Sequence, residues 1–258
     1  SALVSIETEL SSNVLSAGED AEVSCSGVDA SGNQVSDGWS LIVSAQNPTT
    51  EDGVSVSGMT LKGLLEGTYD VACARGEDSV DDTPALLSVV HALPHTLVTT
   101  LDSPSIQAGE SAGLSCHAED KYGNHVPDFL FSVAPLDHVA VVGMSVTSHV
   151  AGTYVIRCVP GDLGEWSAYV LESALLEVLP GPAVSVKLSL QPPKPYFASY
   201  ELIQLVVKAL DAFDNHVPDV PIGPIEVGPG EVEHHMPDPK AILFMEDGTY
   251  EVSVRLAD

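Results

Sequence analysis

Three short turns contain the residues of this 258-residue chain that could do chemistry. Each turn starts with an aspartate and has an asparagine four positions later: Asp29 and Asn33, Asp120 and Asn124, Asp211 and Asn215. Carboxylate and amide oxygens are ligands that Ca²⁺ takes, although the spacing does not match the twelve-residue EF-hand loop. Alternatively, the aspartate caps its own turn while Gly and Asn supply positive φ. A weak calcium site at Asp29, Asp120 and Asp211 and a plain structural turn therefore both stay open, and no other cofactor is expected.

The histidines next to these turns are a second candidate for metal binding or titration near neutral pH. His125 and His216 each follow the turn asparagine in "NHVPD", whereas the first turn has Gln34 there, so the position accepts a residue that does not titrate. The segment "EVEHHMPD" (231–238) also brings two glutamates and two histidines together, but neighbouring strand residues point to opposite faces. We expect both groups to be exposed loop residues.

Composition excludes several classes of function. The chain has 37 acidic and 9 basic residues and a formal net charge of -28, which repels nucleic acid and anionic lipid surfaces. It has no apolar run near the ~20 residues of a membrane helix. It also lacks the G-x-S-x-G, H-E-x-x-H, P-loop and Rossmann motifs. We expect no catalytic residues, no nucleic-acid partner and no membrane insertion by this segment.

The turns mark an internal repeat, because their asparagines are 91 residues apart both times. Two further sequence markers occur near each turn. A glutamate precedes it, and a Gly-Thr-Tyr triplet follows it: Glu19, Glu110 and Glu201; Gly67–Tyr69, Gly152–Tyr154 and Gly248–Tyr250. The sequence therefore predicts three tandem modules, which we call repeat 1 (1–92), repeat 2 (93–181) and repeat 3 (182–258).

Hydrophobic residues between the markers alternate with a period of two, which indicates half-buried strands. "AEVSC" (21–25), "AGLSC" (112–116) and "IQLVV" (203–207) show this pattern at equivalent places. Several short strands in about 90 residues, separated by Gly, Pro, Asn and Asp, predict an all-β fold in which a β-sandwich is repeated three times in tandem. Only four residues follow Val254, so we expect repeat 3 to lack its last strand.

The four cysteines occupy equivalent positions of repeats 1 and 2, and repeat 3 has Val207 and Val254 at both. The joint replacement of two cysteines by valine is typical of a lost disulfide, so we predict Cys25–Cys73 and Cys116–Cys158. Disulfides imply an oxidising compartment and export, hence an extracellular or cell-surface location. Four buried thiols in a cytosolic protein are the alternative, whereas zinc is disfavoured because the chain has no C-x-x-C.

The joints "HALPHT" (91–96) and "VLPGPAV" (178–184) are short and contain proline. Proline fixes φ and restricts the residue before it, which makes a linker stiff. We therefore expect the repeats to form a stiff array.

The motifs also resemble known repeats. "AEDKYGNHVPD" (118–128) and "EDGTYEVSV" (246–254) resemble the filamin-type immunoglobulin-like repeat, and the "AGE" segments (17–19, 108–110) resemble the invasin/intimin type. The resemblance covers the chain as three repeats and implies three tandem immunoglobulin-like (Ig-like) Greek-key sandwiches of seven or eight strands that act as spacers or protein-interaction surfaces. The paired cysteines and the acidity depart from cytoplasmic filamins and favour an extracellular or cell-surface array.

The sequence thus predicts a non-catalytic structural or adhesive stalk segment of a larger secreted or surface protein, acting in cell adhesion or filament assembly. Its expected partners are other proteins or further copies of the same chain. The alternative is a set of accessory or ligand-binding modules of an extracellular enzyme, with calcium or carbohydrate as the ligand.

Overall fold

The structure is a computed structural model that describes residues 3–46, 52–76, 79–161, 166–228, 234–238 and 240–257. It is built almost entirely of short β-strands in several sheets, with a 3-10 helix at Trp166–Ala168. The all-β prediction is confirmed. Of the "EVEHHMPD" cluster, Glu231 and Glu233 lie outside the described residues.

The chain forms two compact units. The first comprises Ser1–Thr99, Cys116–Ala134 and Arg157–Ser173, and the second comprises Thr100–Ser115, Pro135–Ile156 and Ala174–Asp258. The three repeat boundaries read from the sequence stay a prediction.

Repeat 1 contains nine described strands, which belong to the first unit: β1 (Leu3–Leu10), β2 (Val14–Ser16), β3 (Asp20–Asp29), β4 (Gln34–Val35), β5 (Ser40–Ala45), β6 (Val54–Ser57), β7 (Thr60–Gly63), β8 (Gly67–Ala74) and β9 (Ala85–Val90). One sheet has the order β1-β3-β7-β6 with β4 beside β3, and the other has the order β2-β9-β8-β5. Strands β2 and β9 run parallel, whereas β8 is antiparallel to both β5 and β9.

Repeat 2 contributes ten described strands: β10 (Thr96–Leu101), β11 (Ser105–Gln107), β12 (Ser111–Glu119), β13 (His125–Val126), β14 (Phe131–Val133), β15 (Val139–Val142), β16 (Ser145–Ser148), β17 (Gly152–Pro160), β18 (Val170–Leu171) and β19 (Ser173–Leu179). Within the first unit, β12 pairs with β13, β14 with β17, and β10 with β18. Within the second unit, β12 pairs with β16, and β11 runs parallel to β19 as β2 does to β9.

Repeat 3 contributes seven described strands: β20 (Ser185–Gln191), β21 (Leu202–Leu210), β22 (His216–Val217), β23 (Glu226–Gly228), β24 (His234–Asp238), β25 (Ala241–Phe244) and β26 (Glu251–Ser253). One sheet has the order β20-β21-β25-β24 with β22 beside β21, and β23 pairs with β26. The position Val254 directly follows β26 and is half-buried.

The cores follow the predicted alternation. In β3, Ala21 and Val23 are buried while Glu22 is exposed, and in β21 Ile203 and Leu205 are buried while Gln204 is exposed. The core of repeat 1 collects buried side chains from both of its sheets: Leu15, Val23, Leu61, Tyr69, Val71, Leu87 and Val89. Burial of such aliphatic side chains stabilises each one by about 1.5–3 kcal/mol relative to exposure.

The structure contains two disulfides, Cys25–Cys73 and Cys116–Cys158, which are the two pairs that the cysteine spacing predicts. The first joins β3 to β8 and therefore ties one sheet of repeat 1 to the other. The second joins β12 to β17 within the first unit.

Candidate functional site: the junctions between repeats

The aspartate of each turn holds the turn together through one carboxylate oxygen. Asp120 Oδ1 accepts hydrogen bonds from the backbone nitrogens of Tyr122 (2.8 Å) and Asn124 (3.0 Å). Equivalent pairs of bonds close the turns at Asp29 and Asp211. All three aspartates are buried, so these bonds replace the lost hydration of the carboxylates. We call the stretches 29–33, 120–124 and 211–215 the docking turns.

Positive φ in the docking turns comes from the residue before the asparagine. Gly32 and Gly123 have φ of 81° and 87°, and Asp214 takes the same place in the third turn with φ of 65°. Asp214 therefore lies in the left-handed region that glycine occupies in the other two turns. The expectation that the asparagines do so is wrong, because their amide groups are used for hydrogen bonds instead and no described asparagine has positive φ.

The second carboxylate oxygen binds the linker that enters the repeat. Asp120 Oδ2 accepts a hydrogen bond from Ala92 N (2.9 Å), and Asp211 Oδ2 accepts one from Gly181 N (2.8 Å). Both donors lie in the proline-containing joints. Each aspartate therefore fixes the turn of its own repeat and the backbone of the linker that precedes it.

The asparagine of the docking turn contacts the preceding repeat. Asn124 Oδ1 accepts a hydrogen bond from Glu66 N (2.7 Å), and its Nδ2 donates to Leu64 O (2.9 Å). Within the second unit, Asn215 makes the same two bonds, with Ala151 N and His149 O, both at 2.8 Å. We call residues 64–66, 149–151 and 245–247, which directly precede Gly-Thr-Tyr in each repeat, the receiving loops. The side-chain amide pairs with a receiving loop as a strand would, donating and accepting once.

An aromatic residue two positions after the aspartate docks beside the receiving loop. A Cβ built on Gly18 would lie 2.3 Å from the Tyr122 hydroxyl oxygen, and one built on Gly109 would lie 2.8 Å from the Phe213 ring. The Phe213 ring also stacks on His149, with 4.4 Å between ring centroids. Only glycine leaves room for these rings, which explains the glycine of both "AGE" segments.

Gly-Thr-Tyr and the glutamate that precedes each docking turn in the sequence stabilise the loops that receive the next repeat. The tyrosine hydroxyl of each repeat donates to the backbone oxygen four residues earlier, from Tyr69 to Leu65, Tyr154 to Val150 and Tyr250 to Glu246, each at 2.8 Å. This is the tyrosine corner typical of Ig-like sandwiches. Glu19 and Glu110 cap the "AGE" turns by accepting from Ser16 N and Gln107 N. The three sequence markers therefore converge on one structural site.

Removal of the tyrosine hydroxyl should weaken a receiving loop. We expect Tyr69→Phe to lower the free energy of unfolding by roughly 1–2 kcal/mol, because Tyr69 is 1% exposed and Leu65 O loses its partner. Urea unfolding measures the loss. Tyr250→Phe is the matched control and should cost less, because Tyr250 is only half-buried. An equal cost at both positions would contradict the role of burial.

The hydrogen bonds also set the charge state of the junction aspartates. Burial raises the pKa of Asp120, but four bonds, from Ala92 N, Asn124 Nδ2, Asn124 N and Tyr122 N, together outweigh burial and hold the pKa below its usual value. The pKa of Asp211 is lowered in the same way, against burial, by Asn215, Gly181 N and Phe213 N. Both junctions thus contain a carboxylate that the folded state keeps ionised.

A pH dependence follows from this direction. The folded pKa of Asp120 is below the usual 3.8, so its stabilising contribution is complete above that value and is lost as the pH falls through the folded pKa. We expect the melting temperature to decrease as the pH is lowered through this acidic range. Asp120→Asn should reduce the slope of the melting temperature against pH. Part of this slope should remain, because the pKa values of Asp81 and Asp211 are also lowered. An unchanged slope in the variant would contradict this assignment.

The predicted metal ligands lie in three separate docking turns. In Asp120 and Asp211 both carboxylate oxygens accept N–H donors, so a cation there would have to replace those bonds. Across the described part of the chain, no group of three or more His, Cys, Asp or Glu residues is close enough to hold a metal. The calcium site stays a prediction that calorimetric titration with Ca²⁺ tests. His125 and His216 have exposed side chains, but they lie on the strands β13 and β22, and His234 and His235 lie on β24. The expectation that these histidines are loop residues is therefore wrong.

Comparison with known proteins gives structural neighbours only. No protein-family profile matches the chain, and no curated protein matches its sequence. The Escherichia coli adhesin FdeC is similar in structure, with 17% identity and a TM-score of 0.45 over 99% of this chain and 94% of that chain. Surface layer protein SbsC, domains 1–6, has 14% identity and a TM-score of 0.32 over 100% of this chain and 39% of that one.

Invasin, described as a bacterial integrin-binding protein, has 13% identity and a TM-score of 0.36 over 96% of this chain and 55% of that chain. It bears the name of one of the two repeat types that the sequence motifs resemble. The chain thus spans less than two thirds of the SbsC and invasin structures. The described residues contain no helix with the length and apolar character needed to cross a membrane.

Proposed function

We propose that this chain is a non-catalytic spacer of a secreted or cell-surface protein, in which stiff junctions hold an adhesive or assembly-forming part at a fixed distance. The observation that carries the proposal is the recurrence of one junction. Asn124 and Asn215 make the same two hydrogen bonds to equivalent backbone atoms of the preceding repeat. A chain that only needed flexible linkers would have no use for such a bonded joint.

Each junction restricts bending in three ways. The aspartate fixes the linker, the asparagine pairs with the receiving loop, and the aromatic ring fills the space above a glycine. Two directional hydrogen bonds and a ring in van der Waals contact resist different movements, because tilting the repeat breaks the bonds and twisting it moves the ring into the backbone. The mechanism of the spacer is therefore mechanical.

Disulfides and charge support the location. Two disulfides in the described chain persist in oxidising surroundings such as the cell exterior. A net charge of -28 keeps such a surface soluble and discourages association with other acidic polymers.

Pulsed electron paramagnetic resonance tests the stiffness. Spin labels at Ser55→Cys and Ser132→Cys, both on exposed strand positions of the first unit, would report the distance across the first junction. A pair at Ser26→Cys and Ser55→Cys within repeat 1 gives the width of a rigid reference. We expect the two distance distributions to be similarly narrow. A much broader distribution across the junction would refute the spacer proposal.

A further inference from the structure

Repeat 3 differs from repeats 1 and 2 at the residue that lies next to the receiving loop and beneath the aromatic ring of the next repeat. Gly18 and Gly109, which lie against the rings of Tyr122 and Phe213, have φ of 94° and 89°. The equivalent residue of repeat 3 is Tyr200, with φ of 67°. All three residues occupy the same place, because their backbone nitrogens donate to Gly63 O, Ser148 O and Phe244 O next to the receiving loops. A docking turn with Tyr or Phe two positions after its aspartate would therefore collide with the Tyr200 side chain.

Tyr200 is an unfavourable residue to keep in this conformation. A positive φ costs a non-glycine residue on the order of 1 kcal/mol or more, and such strain concentrates at functional positions. The side chain is also 68% exposed, so no core packing compensates for the strain. An exposed aromatic ring held in a strained backbone indicates a contact surface.

Repeat 1 differs from the other repeats in its docking turn, which has a small residue in place of a large aromatic one. Two positions after its aspartate it has Ser31, where the later turns have Tyr122 and Phe213. The rest of the docking turn is retained, since Asn33 Nδ2 donates to Asp29 as Asn124 Nδ2 does to Asp120. Asn33 is exposed, whereas Asn124 is buried against the preceding repeat. Within the described residues, Asn33 Oδ1 accepts no hydrogen bond.

The two departures compensate for one another. In the internal junctions a large residue on the docking turn contacts a glycine. If the docking turn of repeat 1 bound repeat 3, its small residue Ser31 would contact the large residue Tyr200. We propose that the docking turn of repeat 1 in one copy of this chain binds the receiving loop of repeat 3 (245–247) in a second copy. Tyr200 would cover Ser31, and Asn33 would pair with Asp247 N and Met245 O, the atoms equivalent to Glu66 N and Leu64 O.

Such a contact joins different surfaces of the two copies, so it is heterologous and can repeat along a filament. The inference rests on the proposed function in one respect, namely that docking turn and receiving loop form a junction. It adds the partner, a second copy of this chain, and the residue pair that selects it. Because both copies are strongly acidic, the association should be stronger at high salt than at low salt.

Sedimentation equilibrium of the purified chain at concentrations up to about 1 mM tests the proposal, a range suited to a contact of this small size. We expect the average mass to rise with concentration. Ser31→Tyr should weaken association about tenfold because its ring meets Tyr200, and Tyr200→Gly should weaken it about tenfold by leaving the space unfilled. Tyr200→Gly should also unfold at a higher temperature, because the strain is relieved, so its loss of association cannot come from misfolding.

The double variant Ser31→Tyr/Tyr200→Gly is the decisive measurement. It recreates the pairing of Tyr122 with Gly18 and should restore association to near the original strength. Tyr122→Ser is the matched control, which disturbs the internal junction and should leave the self-association unchanged. A monomer at all concentrations, or a double variant as weak as the single ones, would overturn the proposal. Neither result would change the width of the spin-label distribution, which tests the spacer separately.

Discussion

The double variant Cys25→Ser/Cys73→Ser is expected to lose at least about 4 kcal/mol of unfolding free energy, because reopening a loop of this size restores the entropy of the unfolded chain. The two cysteines are 48 residues apart and join the two sheets of repeat 1. Guanidinium unfolding followed by tryptophan fluorescence measures the loss in repeat 1 when Trp166 is replaced by phenylalanine throughout, because the remaining Trp39 packs against the core of repeat 1.

The chain itself provides the control for this experiment. Repeat 3 has Val207 and Val254 at the equivalent positions, so Cys25→Val/Cys73→Val removes the cross-link with side chains that suit the site. Cys73 is fully buried, and a serine hydroxyl there lacks the hydration it has in water, which costs a further 1–3 kcal/mol or so. The valine pair should therefore lose less than the serine pair. A valine pair as stable as the original protein would show that the cross-link does not stabilise the repeat.

Much of the fold can be predicted from local sequence patterns. The alternation around Ala21 and Ile203 depends only on the period of a strand, and it identifies which side chains are buried. The cysteine pairs can be predicted because repeat 3 replaces both members of the pair together. These inferences compare equivalent positions and need no knowledge of how one repeat contacts the next.

The junction cannot be predicted in the same way. Asn124 bonds to atoms 58 and 60 residues earlier in the chain, and a lone asparagine in a turn has the same appearance whether or not it reaches a neighbour. The turn motif alone is compatible with a cap and with a calcium ligand. One signal was present in the sequence: the aromatic residue in the second and third turns and the glycine in the preceding "AGE" segments occur together. Recognising it required the geometry that brings Tyr122 onto Gly18.

Asn124→Ala should have the largest effect of any single change at a junction. It removes the bonds to Glu66 N, Leu64 O and Asp120 Oδ2, and at about 1 kcal/mol each the loss is roughly 3 kcal/mol. The asparagine side chain is almost fully buried, so water replaces these bonds poorly. Calorimetric unfolding measures the loss, and hydrogen exchange at the amide of Glu66 localises it, because this amide loses its acceptor and should exchange faster.

Asn33→Ala is the matched control, because Asn33 makes the same bond to the aspartate of its own turn but is exposed. At concentrations where the chain is monomeric, Asn33→Ala should lower the free energy of unfolding only by the contribution of the bonds within its own turn. The difference between the two variants is then the contribution of the junction, and Asn215→Ala should fall between them because Asn215 is half-buried. Equal losses for Asn33→Ala and Asn124→Ala would mean that the asparagine stabilises only its own turn. The junction would then depend on the bond between Ala92 N and Asp120 and on the packing of the Tyr122 ring, and a stalk of fixed length would need another source of stiffness.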